Sequence, residues 1–84
     1  MNNEKLLSKI KSNRKNVKFS DFVKLVVAFG FRISRVNGSH HIFVHKKIGA
    51  IINLQNVKGE AKPYQIKQFL DIIEANNLKL KEDK

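Results

Sequence analysis

The spacing of apolar residues changes sharply at Gly30, and that change constrains the fold more than any other feature of the chain. Before it, Phe22, Leu25, Val26 and Phe29 follow the i, i+3, i+4, i+7 rule of an amphipathic helix. Ser20 is a suitable N-cap for that helix, Asp21 suits its first turn, and Gly30 suits its C-terminal end. After it, Phe31-Arg32-Ile33-Ser34-Arg35-Val36 alternates in the manner of a strand. Asn37-Gly38 is a strong hairpin signal, and Ser39 to His45 is rich in β-branched and aromatic residues, as a returning strand would be. Lys46 to Gly49 reads as a second turn and Ala50 to Gln55 as a third strand.

The flanks return to helical spacing. Leu6, Leu7 and Ile10 predict a short amphipathic helix over Asn3 to Lys11, followed by a polar, basic connector over Ser12 to Lys18. Asn56 to Lys62 reads as a loop. Pro63 fits a first helical position, Ile66, Phe69, Leu70 and Ile73 form a stripe, and Asn76-Asn77 closes the helix. Lys79 to Lys84 reads as a charged, frayed tail. The order α-α-β-β-β-α predicts an α+β fold: a two-layer sandwich, with a three-stranded antiparallel sheet, helices on one face and a short extra helix at the N-terminus. With 84 residues the expectation is a single domain, divided into residues 1–13 as an N-terminal helix or extension, 14–78 as the core and 79–84 as the tail.

Alternation along the second strand sorts its side chains. His40 shares a face with Ile42 and Val44, the pair expected to turn to the core, whereas His41 shares the other face with Phe43 and His45. Parity alone therefore makes His41 the exposed histidine. The position of residue 40 beside the Asn37-Gly38-Ser39 turn, where alternation is weakest, keeps His40 open as the alternative.

Charge dominates the composition, with 17 Lys plus Arg against 7 Asp plus Glu and a formal net charge of +10. Solubility requires less than this, so a polyanionic partner is expected, and a basic protein with one open sheet face is well placed to receive nucleic acid. Hydrophobic residues make up 42% of the chain, enough for a globular core. There is no cysteine, which removes thiol nucleophiles and thiolate metal sites and fits a reducing compartment. The N-terminal stretch lacks a signal-peptide h-region and no apolar run approaches the ~20 residues of a membrane span. A cytoplasmic location without membrane contact is expected.

The three histidines His40, His41 and His45 are the candidate chemistry. Metal binding is disfavoured by spacing, since 41 and 45 share one strand face, 40 lies on the other, and no Asp or Glu stands between Asp21 and Glu60. Ser39 adjoins His40, but neighbours on a strand point apart and no nucleophile elbow is present. General acid–base chemistry by a lone histidine on RNA remains, because RNA supplies its own nucleophile in the 2′-hydroxyl. Such an enzyme needs no cofactor. It needs cations for the phosphate, and Arg32, Arg35, Lys46, Lys47, Lys58 and Lys62 are the candidates, with Ser39 and His41 as further candidate RNA contacts. The competing reading is a non-catalytic module that holds RNA by shape and charge.

The stretch Gly30-Phe31-Arg32-Ile33-Ser34-Arg35-Val36-Asn37-Gly38-Ser39-His40-His41-Ile42-Phe43 resembles the signature of the HicA family of toxins. Residues 52–65, Ile-Asn-Leu-Gln-Asn-Val-Lys-Gly-Glu-Ala-Lys-Pro-Tyr-Gln, and residues 16–22, Asn-Val-Lys-Phe-Ser-Asp-Phe, resemble further blocks of one branch, so the likeness covers roughly residues 14–78. The resemblance implies a fold similar to a double-stranded-RNA-binding domain. It also implies mRNA cleavage, neutralisation by a HicB-type antitoxin, and a functional histidine in the Gly-Ser-His turn, which maps to His40. A toxin with so basic a surface calls for an acidic inhibitor that buries apolar groups as well, with Phe43 and Tyr64 as candidate anchors; the alternative for either is plain core, which is the favoured reading for Phe43.

Overall fold

A computed structural model of the chain describes residues 2–80. Its elements are α1 (Asn3–Ser12), α2 (Phe19–Ala28), β1 (Arg32–Asn37), β2 (His40–His45), β3 (Ala50–Val57), β4 (Glu60–Ala61) and α3 (Pro63–Ala75). The strands form an antiparallel sheet in the order β1-β2-β3-β4. The α+β class is as expected, but the sheet has four strands where three were expected.

The fourth strand comes from the segment expected to be a loop. Val57 pairs with Glu60 across a two-residue turn in which Lys58 and Gly59 both take positive φ, 52° and 86°. This is the requirement of a type I′ hairpin, met here with lysine rather than the usual asparagine or aspartate at the first position. Asn56 Oδ1 accepts from the Gly59 backbone N–H at 2.7 Å and steadies the turn. β4 is also tied to the connector before α2: the Ala61 N–H donates to the Val17 carbonyl at 2.9 Å, and Phe19 N–H to that of Gly59 at 2.8 Å. These tertiary bonds start α2 earlier than the sequence suggested. Lys18, not Ser20, is the N-cap residue, and no side chain caps the helix. At α1, by contrast, Asn2 Oδ1 caps the Lys5 N–H at 2.8 Å.

The core lies between the helices and one face of the sheet. Phe22, Leu25 and Val26 of α2 and Ile66 and Phe69 of α3 meet Phe43, Ile52 and Leu54 of the sheet, and Leu6 and Ile10 of α1 join them. Phe22, Phe29 and Phe31 each set a ring edge-on to Phe69, with centroids 5.4–5.9 Å apart. Phe43 is 1% exposed and belongs to this core, so it is unavailable as an anchor for a partner.

This packing inverts the parity reading of β2. Phe43 and His45 are buried, while His40 is exposed and Ile42 and Val44 are only partly covered. The phenyl ring, with more apolar surface than either aliphatic side chain, takes the inward position, and the alternation carries His40 outward. His40 needs no irregularity at the turn to reach solvent.

Candidate functional site

The open face of the sheet is assembled by a bulge in β1. Arg32 pairs with Val44 and Ile33 with Phe43, but Arg35 then pairs with Ile42, so Ser34 is the extra residue. Arg32 and Arg35 are of opposite parity in sequence. The bulge puts both on the face of His40, since partners across an antiparallel pair share a face. Without it Arg35 would turn to the helix side. Ile33, opposite Phe43, and Val36, which the same shift sets opposite His41, turn to the inner face, yet they remain 51% and 55% exposed because the helical layer stops short of this edge strand.

The β1–β2 turn consists of Gly38 and Ser39, with Asn37 retained in the strand opposite His40. Gly38 takes φ 62° at the first turn position, the demand of a type II′ hairpin. Ser39 is fixed on both sides. Its hydroxyl accepts from Gln55 Nε2 at 3.3 Å, and its carbonyl accepts from the Asn56 N–H at 2.9 Å. Gln55 N–H in turn donates to Oε1 of the buried Gln65 at 2.9 Å, which joins the start of α3 to β3. The residue that follows, His40, is thus presented from a turn braced against both β3 and α3.

Across the ladder His40 faces Gln55, and the diagonal neighbour on the same face is Asn53. His40 Nδ1 stands 3.1 Å from Asn53 Oδ1. An amide oxygen only accepts, so Nδ1 carries the proton in this contact and the neutral ring keeps Nε2 as its free base. Beside this pair runs a groove of about 640 Å³ between β3 and α3, lined among others by Ile51, Gln55, Lys62, Tyr64 and Gln68. Lys62 Nζ lies 5.6 Å from the centroid of the Tyr64 ring.

The remaining sequence candidates fall into groups. Arg32, Arg35 and Lys62 share the open face or the groove with His40. Lys58 sits in the β3–β4 turn, at the same end of the sheet as His40. Lys46 and Lys47 lie in the turn at the opposite end of β2, about 17 Å along the strand from His40. His41 is on the inner face, its ring 4.8 Å from that of Phe19 and its Nδ1 donating to the Ser39 carbonyl at 3.2 Å. His45 is buried against Phe31. The histidines therefore do not converge, and among the described residues no three His, Asp or Glu side chains gather as a metal-holding group. Asn53, Gln55 and Gln68 were not singled out from the sequence as site residues, and Tyr64 was expected only as an anchor for the inhibitor. The signal for Asn53 and Gln55 was available, since both share the parity of Ile51 on a strand that pairs with β2.

The succession α2-β1-β2-β3-α3, a helix, an antiparallel sheet open on one side and a closing helix, is consistent with the double-stranded-RNA-binding-domain type of fold. Within that class the chain belongs to the HicA toxin family of bacterial toxin–antitoxin systems, whose match covers residues 19–75, more than half of the 84. The matched span begins at the first residue of α2 and ends at the last residue of α3. No curated protein and no solved structure matches the chain. Membership makes it the toxin of a toxin–antitoxin pair, with an antitoxin as its partner. Among the described residues no helix is long and apolar enough to cross a membrane.

Proposed function

We propose that this toxin is a cytoplasmic endoribonuclease that cleaves mRNA through the RNA's own 2′-hydroxyl, with His40 as its acid–base group and no metal in the reaction. The observation that carries the reading is the exposed imidazole on a basic sheet face, its Nδ1 held by Asn53 and its Nε2 free. In this scheme Nε2 takes the 2′-hydroxyl proton, the 2′-oxygen bonds to phosphorus, and the bond to the 5′-oxygen breaks. The leaving 5′-oxygen takes a proton from water or from the imidazolium. The products are a 2′,3′-cyclic phosphate and a 5′-hydroxyl. Arg32, Arg35, Lys58 and Lys62 are the cations that would hold the phosphates and offset the charge gained in the transition state.

The inhibitor in this scheme is a HicB-type acidic antitoxin that covers the open face and His40. Tyr64, 57% exposed, is available to it as an apolar anchor.

The test is incubation of purified protein with a long RNA in the presence of a chelator. Fragments ending in cyclic phosphate, absent with His40→Ala at unchanged thermal stability, are the expected result. Cleavage by His40→Ala at the wild-type rate refutes the assignment. A shift of the RNA without cleavage by the wild type refutes the enzyme and leaves an RNA-binding module.

A further inference from the structure

The groove beside His40 contains more than acid–base chemistry uses. Every phenylalanine that packs on Phe69 is buried, whereas Tyr64 is 57% exposed at the start of α3. Pro63 starts the helix immediately before it, and Lys62 Nζ stands 5.6 Å from its centroid. The ring borders the groove as a partly open aromatic face. Gln68 lies one turn further along α3 and also lines the groove, and it makes no side-chain hydrogen bond within the described residues. Across from it, Asn53 spends its oxygen on His40 and Gln55 spends its amide nitrogen on Ser39. Asn53 keeps its amide nitrogen as a donor, Gln55 its oxygen as an acceptor, and Gln68 both.

We propose that this groove is a nucleobase pocket: one unpaired base of the RNA stacks on Tyr64 and turns its edge to Gln68, Gln55 and Asn53, while the adjoining phosphate lies between Lys62 and His40. The proposal rests on the RNA-directed reading above and names the part of the substrate that this end of the site takes. A base offers a flat π-face together with both donors and acceptors on its edge, which is the complement of a ring flanked by free amides. The volume of about 640 Å³ suits a nucleotide-sized ligand. Asp71, which also lines the groove and is paired with Lys67 at 3.0 Å, adds a carboxylate that can accept from an exocyclic amino group. A base inside a duplex has both faces covered, so the pocket selects single-stranded segments even though the fold resembles a duplex binder.

Tyr64 is the single tyrosine of a chain without tryptophan, so intrinsic fluorescence reports on that ring alone. The probe is a short single-stranded RNA of mixed sequence with 2′-O-methyl riboses, which binds but has no hydroxyl to attack. Its abasic counterpart, with the same backbone, serves as the control. The expected result is saturable quenching of Tyr64 by the base-bearing strand and none by the abasic one, which binds about 5- to 150-fold more weakly. Tyr64→Ala should lose affinity for the base-bearing strand by the same factor, and Tyr64→Phe should retain it. Equal binding of the two strands by the wild type, with no quenching, overturns the pocket while leaving an RNA-binding protein. That comparison needs no variant to fold. Failure of the wild type to bind either strand at low salt overturns the RNA-directed reading as well.

Discussion

Replacement of Gly30 by alanine is expected to be among the most damaging single-methyl changes this fold can suffer. Gly30 joins α2 to β1 with φ at 100°, a region an L-residue enters at a cost of about 1–3 kcal/mol. A Cβ there would stand 2.8 Å from Nε2 and 3.3 Å from Cδ2 of His45. His45 is 7% exposed and packs edge-on to Phe31 at 5.1 Å, so its ring cannot swing to solvent without opening the core. Overpacking of that kind costs about 1–3 kcal/mol more. The sum, about 2–6 kcal/mol, is a large share of the 5–15 kcal/mol by which a domain is ordinarily stable. Urea unfolding followed by far-UV circular dichroism measures it. The two causes separate in a cycle with His45→Ala. That change removes the obstructing ring, along with its buried Nδ1 that has no partner among the described residues, and leaves the φ penalty in place. Gly30→Ala should then cost about 1–3 kcal/mol less in the His45→Ala background than in the wild type. A loss under about 1 kcal/mol for Gly30→Ala alone, or no coupling between the two changes, refutes the steric argument.

Three further outcomes are expected. Asn53→Leu should lower the cleavage rate about tenfold, because one hydrogen bond that fixes the His40 tautomer is lost; nitrogen chemical shifts of free His40, read without RNA, should lose their Nδ1–H signature in parallel, and an unchanged tautomer would refute the positioning role. RNA affinity should fall with salt along a slope of about −3 in log–log form for the four cations Arg32, Arg35, Lys58 and Lys62, and Arg35→Ala should flatten it by about 0.7; a flat response in the wild type would exclude the basic face as the RNA surface. Co-expression with the neighbouring open reading frame should yield a complex that survives high salt and no longer binds RNA, and RNA binding by that complex would rule out inhibition by occlusion.

Elements with strong local signals were legible in the sequence. The 3.6-residue stripes of α2 and α3, the Pro63 start and the period change at Gly30 all correspond to observed boundaries within a residue or two. The elements that departed from expectation depend on tertiary pairing. β4 is two residues long and carries no periodicity, and it exists because Val57 pairs with Glu60 and because the connector before α2 binds Ala61. The start of α2 shifted for the same reason, since the bonds from Phe19 to Gly59 and from Ala61 to Val17 are invisible to any local window. The charged tail expected over Lys79 to Lys84 falls largely on residues 81–84, outside the described residues.

The site was half legible, and the missing half turns on which side chain of a β-strand faces inward. Sequence parity sorts β2 into His40-Ile42-Val44 and His41-Phe43-His45 but does not say which set is buried. Treating the aliphatic pair as core assigns the catalytic position to His41. Comparing instead the apolar surface of each set favours Phe43 for the inside, and His40 follows outward with it. The bulge at Ser34 is a second instance. Arg32 and Arg35 read as opposite in parity, yet one unpaired residue brings both to the same face. A single inserted residue has thus decided whether the face around His40 carries one arginine or two, a difference of one full charge beside the phosphate path. What a local pattern cannot supply here is register, and the residues that depend on register, Arg35, Asn53 and Gln55, are those that surround His40.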